Sequence, residues 1–211
     1  MKKIFHCLIA FQLVFFIQSN CLAQKKLKKD YVVTITTEFG DIAVLLYENT
    51  PLHKKNFIKL ATEKYYDNTT FHRIIQDFMI QGGDPNSKDK DVTNDGTGGP
   101  GYTIPNELSA GHLHEPGALA AARMGDQVNP KMESSGSQFY IVENPSGTHF
   151  LDKSYTVFGQ TINGMDVVHK IASQPKGPSD RPLKDIPMTV KAEKMKVKKI
   201  IKKYNCENFY K

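Results

Sequence analysis

One short stretch gathers side chains that a plain strand has no need of. Phe71-His72-Arg73-Ile74-Ile75 is followed almost at once by Phe78-Met79-Ile80-Gln81-Gly82-Gly83-Asp84. Arg73 is charged at every pH of interest and carries a rigid, planar fork of donors. Alone, an arginine on a strand is most often a solvated surface residue. Beside Phe78, Met79 and Gln81 it becomes a candidate for a fixed cation over an apolar pocket, where a hydrogen bond is stronger than in water. Such a group stabilises charge that develops only in a transition state, without any bond to the protein.

Other motifs lack the context their chemistry requires. Gly96-Thr97-Gly98-Gly99-Pro100-Gly101 spells G-x-G-x-x-G, but Asp89, Asp91 and Asp95 precede it and Pro105 blocks the helix a phosphate would need. Asp91 to Gly96 begins like a calcium loop, yet its twelfth position is Tyr102 rather than a bidentate glutamate. His112-Leu113-His114-Glu115 lies between Gly111 and Pro116 with no second ligand cluster, and reads as loop histidines. Ser134-Ser135-Gly136-Ser137 is no nucleophile elbow. The lysines of residues 194–203 read as the solvated face of an edge strand.

The elements around Arg73 are short. Residues 31–37 and 41–47 alternate with a period of two about a Glu38-Phe39-Gly40 turn, which predicts a hairpin. Thr50-Pro51 opens a helix as N-cap and first residue, with Phe57, Leu60, Ala61 and Tyr65 as its buried stripe. Strands are expected at 70–75, 79–81, 118–122, 139–142 and 156–160, a second helix at 165–172, and a last strand over 190–197. With no βαβ rhythm, this order predicts an antiparallel barrel or sandwich. Residues 84–116 are the anomaly, a long glycine-rich and polar run of the kind that is usually functional. The whole chain has 211 residues, 39% hydrophobic and 24% charged, a globular composition that excludes disorder. Its net charge of +6 is too small for a nucleic-acid footprint.

The N-terminus reads as a targeting segment. Met1-Lys2-Lys3 is basic, residues 4–17 are mainly apolar, and Cys21-Leu22-Ala23 ends the pattern with small residues. This predicts a signal peptide over residues 1–23, cleaved after Ala23, and an exported, periplasmic or envelope-associated protein. The alternative is a lipoprotein anchored through Cys21. Cleavage removes two lysines and no acid, which takes +6 to +4, and leaves Cys206 as the last cysteine.

Downstream of Arg73 stand Gly136-Ser137-Gln138-Phe139-Tyr140-Ile141, then Phe150-Leu151-Asp152 and Tyr155-Thr156-Val157-Phe158-Gly159. In order and spacing these blocks resemble the cyclophilin family of peptidyl-prolyl cis-trans isomerases, over residues 31–201. The resemblance implies a mainly β fold, a closed eight-stranded antiparallel β-barrel capped by two α-helices. It also implies a site on the outer barrel surface that uses no metal and no cofactor. Carried over position by position, Arg73 matches the catalytic arginine, while Gln81 and Gln138 match the groups that orient it and the peptide. Phe78, Met79, Tyr140, Leu151 and Tyr155 match the proline-pocket walls. Ala122 and Arg123 match the strand that meets the substrate backbone, and Phe150 a rim position often held by tryptophan. Many family members have asparagine in place of Arg123 and histidine in place of Tyr155, and residues 124–134 form a longer loop than in the short members.

The expected organisation is a basic tether at 24–30, a catalytic domain at 31–201 and a tail at 202–211. The expected activity is isomerisation of X–Pro bonds during protein folding, with Arg73 stabilising the twisted amide and no covalent intermediate. The expected partners are proline-containing segments of unfolded or flexible proteins, met by a monomer that binds no nucleic acid. The competing class is a binding module that holds such segments without fast turnover.

Overall fold

In the computed structural model, residues 28–210 are described; the signal peptide and the Cys21 alternative lie outside them. The first hairpin forms as its alternation predicts, β1 (Lys29–Thr37) pairing antiparallel with β2 (Gly40–Leu46). α1 (Pro51–Thr62) buries Phe57, Leu60 and Ala61. Tyr65 lies past its end, and the neighbouring ring of Tyr66 fills the core instead. The Thr50 side chain caps nothing and donates to the Tyr47 carbonyl, 3.2 Å away. Glu107 supplies the cap from the long loop, accepting the N–H groups of Leu52 and His53, both at 3.0 Å.

β3 (Phe71–Ile75), β4 (Met79–Gly82), β6 (Ala118–Ala121), β8 (Phe139–Val142) and β9 (Val157–Asn163) follow near their expected places. Two further strands, β5 (Thr103–Ile104) and β7 (Ser134–Ser135), pair with each other and tie down the 124–134 loop. α2 (Met165–Ala172) packs its Val168 and Ile171 inward. Residues 84–116 are not structureless: 3-10 turns form at Pro85–Lys88 and Leu108–Ala110.

The main sheet runs β10-β1-β2-β9-β6-β8-β4-β3, every pair antiparallel, where β10 is Thr189–Lys196. It curls around one core that includes Ile35, Val44, Phe71, Ile80, Leu119, Phe139 and Ile141. The expected closed barrel is not what forms. β3 and β10 share no ladder, so the sheet is an open half-barrel. Residues just ahead of those two strands meet at Thr70 and Pro187, where Phe71 N donates to Ile186 O at 3.0 Å and Met188 N to Thr69 O at 2.9 Å. Proline offers no N–H to continue a ladder there.

A third helix is the other correction. The chain leaves β10 at Lys196 and turns into α3 (Val197–Tyr204), where a strand was expected to run through Val197. α3 lies over the outer face of β1 and β2, so Val32, Ala43 and Leu45 are buried beneath Ile200. The expected tail then folds back: Glu207–Tyr210 is a 3-10 turn, with Phe209 stacked on Tyr47 at 5.0 Å.

Candidate active site

Strand register assembles the site. Arg73 on β3 stands opposite Gln81 on β4, Gln81 opposite Tyr140 on β8, and Tyr140 opposite Ala120 on β6. These four form one row across the sheet, so their side chains share one face. It is the outer face, since the intervening Ile80, Ile141 and Leu119 point into the core. A second apolar cluster therefore grows outside the sheet: Met79, Ala118, Ala120, Ala122, Tyr140, Val142 and Val157, with Phe78, Leu151 and Tyr155 against it. The alanines leave the room that makes a pocket.

A cavity of about 140 Å³ opens there, lined by Arg73, Phe78, Met79, Gln81, Ala122, Arg123, Tyr140, Leu151 and Tyr155. Nine of the eleven positions singled out from sequence thus meet in one place. The other two lie beside it. Phe150 is 75% exposed and stacks on Phe78 at 5.6 Å, which puts it at the rim. Gln138 is buried behind Gln81, accepting from Gln81 Nε2 at 3.2 Å and donating to the carbonyls of Gly96 and Gly98 at 3.0 and 2.8 Å. It braces the wall and does not line the cavity.

The Arg73 side chain is 41% exposed, and its one ion pair among the described residues is loose, Nε to Asp180 Oδ2 at 3.8 Å. Asp180 also holds Lys176 at 2.8 Å and sits with Ser179 in the left-handed region, φ 61° and 58°. Arg181 pins that turn through Asp95 and Asp185, both at 2.7 Å. Past Arg73 and Gln81 the surface widens into a groove of about 810 Å³ between residues 92–96 and 177–183.

Arg123 lines the cavity with its guanidinium held in place. Its guanidinium lies 4.6 Å from the Tyr155 ring centre, with Nε on Ser154 O at 2.8 Å and one Nη on Asp126 at 2.5 Å. It is a clamped edge of the pocket, fixed by the 124–134 loop. The glycine-rich run is equally structural. Asp84 is fully buried and accepts the N–H groups of Asn86, Gly96 and Gly98, the last two being donors that a phosphate on the glycine motif would have needed.

His114 and Asp152 were missed. His114 is fully buried: Nδ1 donates to Asp152 at 2.8 Å, and Nε2 accepts from the Tyr140 hydroxyl at 2.8 Å. Burial lowers the His114 pKa despite the pull of Asp152, and burial raises that of Tyr140. Burial opposes the charge on Asp152, but N–H donors from His114 and His149 outweigh it and hold the carboxyl below its usual range. All three are therefore locked in the states this relay needs. The only sequence signal was a histidine two residues ahead of Pro116 in a polar loop, which says nothing of its partners.

A family model for cyclophilin type peptidyl-prolyl cis-trans isomerases matches residues 32–192. A peptidyl-prolyl cis-trans isomerase-like protein of Neurospora crassa is 37% identical over 155 residues, 73% of this chain and 88% of that one. A peptidyl-prolyl cis-trans isomerase of Dictyostelium discoideum is 39% identical over 161 residues, 74% of this chain and 94% of that one. Among solved structures, a cyclophilin type isomerase of Cryptosporidium parvum is similar with a TM-score of 0.67 at 30% identity, covering 78% of this chain and 98% of that one. The same Cryptosporidium protein, crystallised in the presence of the dipeptide Ala-Pro, gives a TM-score of 0.66.

Proposed function

The chain belongs to the cyclophilin-type peptidyl-prolyl cis-trans isomerases, and from that premise we propose that its catalytic step is electrostatic, carried by Arg73. An X–Pro amide rotates over a barrier of roughly 20 kcal/mol because resonance gives it double-bond character. As it twists, the proline nitrogen becomes pyramidal and gains a lone pair. A guanidinium N–H placed there binds the twisted amide better than the planar one, which is the condition for acceleration.

The observation that carries this is the lining of the cavity. No carboxylate, imidazole, thiol or aliphatic hydroxyl is among its nine residues, and its one guanidinium free of close hydrogen bonds is that of Arg73. The Tyr140 hydroxyl is engaged by His114. The pocket of Phe78, Met79, Ala122, Tyr140 and Leu151 grips the proline ring, while the groove beyond Arg73 accommodates the adjoining chain. The substrates are proline-containing segments of unfolded or flexible proteins, in keeping with the Ala-Pro used with the Cryptosporidium relative. On the strength of residues 1–23, we propose that the enzyme works outside the cytoplasm.

Isomerisation of a short X–Pro peptide, measured beside peptide affinity, tests the mechanism. Arg73→Ala should cost about 10²–10³ in turnover, roughly 3–4 kcal/mol, with a much smaller loss of affinity. Arg73→Lys should rescue poorly, since an ammonium on a flexible stem does not reproduce the fork. Near-normal turnover in Arg73→Ala would overturn the mechanism, and slow turnover in the parent chain would favour the binding module.

A further inference from the structure

β10 and α3 carry the densest positive charge of the described chain. Between residues 189 and 205 there is one acid, Glu193, against seven exposed lysines. Val197 and Ile200 are buried and Ile201 and Tyr204 half-buried, which turns Lys198, Lys199, Lys202 and Lys203 onto the opposite face of the helix.

The fold gains little from this arrangement, and several terms oppose it. Lys198 and Lys199 occupy the first turn of α3, at the positive end of the helix dipole, with no acid beside them. Lys198 and Lys202, like Lys199 and Lys203, are like charges four residues apart. Elsewhere Lys54, Lys170, Lys176 and Lys184 are each matched to a carboxylate. None of the seven lysines here has such a partner among the described residues. A sequence that retains unmatched, mutually repelling charge on one face is complementary to an anion outside itself.

Position identifies that anion. Val197 N donates to the Lys28 carbonyl at 3.2 Å, so the chain ahead of Lys28 departs from the foot of α3. That chain contains Lys25 and Lys26, which remain after cleavage behind Ala23 and continue the positive charge at this end of the domain. Lys29 stands opposite Lys196 in the ladder and extends the same patch. Rings that could stack on bases are covered, Tyr31 by Lys194 at 5.3 Å and Tyr204 by Lys203 at 4.8 Å. We propose that the lysine face of α3 and β10 docks on an anionic phospholipid surface. None of these lysines lines the cavity or the groove, so docking leaves both uncovered and is independent of the isomerase mechanism.

Co-sedimentation of the mature chain, residues 24–211, with two kinds of vesicle tests this. One is phosphatidylcholine alone, the other phosphatidylcholine mixed with phosphatidylglycerol. The chain should prefer the anionic vesicles, and the preference should vanish at about 0.5 M salt. Replacing Lys198, Lys199, Lys202 and Lys203 together by Gln should weaken anionic binding by roughly tenfold or more. Turnover of a soluble X–Pro peptide should not change, which reports an intact fold. The pair Lys198→Gln and Lys199→Gln removes the clash with the helix dipole, so it should keep or raise the melting temperature while still weakening binding. Equal binding to neutral vesicles, undiminished binding by the Gln variants, or tighter binding to a DNA duplex than to anionic vesicles in the same salt would each overturn the proposal.

Discussion

Arg73 is held loosely, and that sets what its neighbours contribute. An exposed ion pair at 3.8 Å is worth about 1 kcal/mol or less, far below the loss expected from deleting the guanidinium itself. Asp180→Asn should therefore lower turnover by no more than about fivefold, through a wider spread of Arg73 conformations. In an Arg73→Ala background the same change should do nothing further; an equal loss in both backgrounds, read from a double-mutant cycle, would assign Asp180 a purely structural part. A second expectation concerns pH. Arginine does not titrate in the working range, so turnover should be level from about pH 7 to 8.5. His114 braces the Tyr140 wall as a neutral acceptor, and burial lowers its pKa, so a decline should begin only below about pH 6.5. It should appear in KM more than in kcat, and His114→Gln should remove it. A bell centred near neutrality would contradict this account. Arg73, Phe78, Met79 and Gln81 were legible because a single hairpin holds them within a few residues of one another. His114 was not, since its partners Tyr140 and Asp152 lie 26 and 38 residues away and only the folded sheet brings them together.

The long loop does its work as a brace. Asp84 gathers the backbone of residues 86–98, the carbonyls of Gly96 and Gly98 hold Gln138, and Gln138 holds Gln81 beside Arg73. A Cβ on Gly98 would overlap the buried Asp84 carboxylate and come within 2.8 Å of the Asn86 carboxamide. Gly98→Ala should therefore destabilise by about 1–3 kcal/mol and reduce turnover, because the brace behind Gln81 shifts. Denaturant midpoint and turnover measured together check it, and a change in neither would show that the loop gives way freely. At this scale the strands were largely readable from alternation, since nearly every one has a core face. α3 was not, because Met195 and Val197 continue the strand period while Val197, Ile200, Ile201 and Tyr204 already follow the helical one. The two patterns overlap at Val197, and burial of Ile200 against Val32 and Leu45 decides between them.

Across the whole molecule, the seam that leaves the sheet open was also beyond sequence reading. It depends on Pro187 meeting Thr70, two positions that no local pattern connects. The same global packing sets how stability responds to acid. His53, His72 and His114 are buried, and burial lowers the pKa of each below the ordinary 6.5. Among the described residues, His72 has no hydrogen-bond partner for either ring nitrogen, and His53 has none for Nε2. Between the folded values and 6.5 the unfolded chain binds more protons than the folded one, so stability rises with pH in that window. It is complete above about pH 6.5 and is lost as pH falls below that. The buried tyrosines act at the other end. Burial raises the pKa of Tyr66 and Tyr140 above 10.0, so the unfolded chain ionises first and stability declines beyond about pH 10. Urea midpoints should therefore form a plateau from about pH 6.5 to 9.5, with an acid limb that starts well above the carboxylate range. Replacing His72 by Gln, which does not titrate, should make that limb shallower. A midpoint unchanged down to pH 5, or an acid limb that starts only near pH 4, would mean that carboxylates such as Asp152 govern acid stability and that the buried histidines take up their protons without cost.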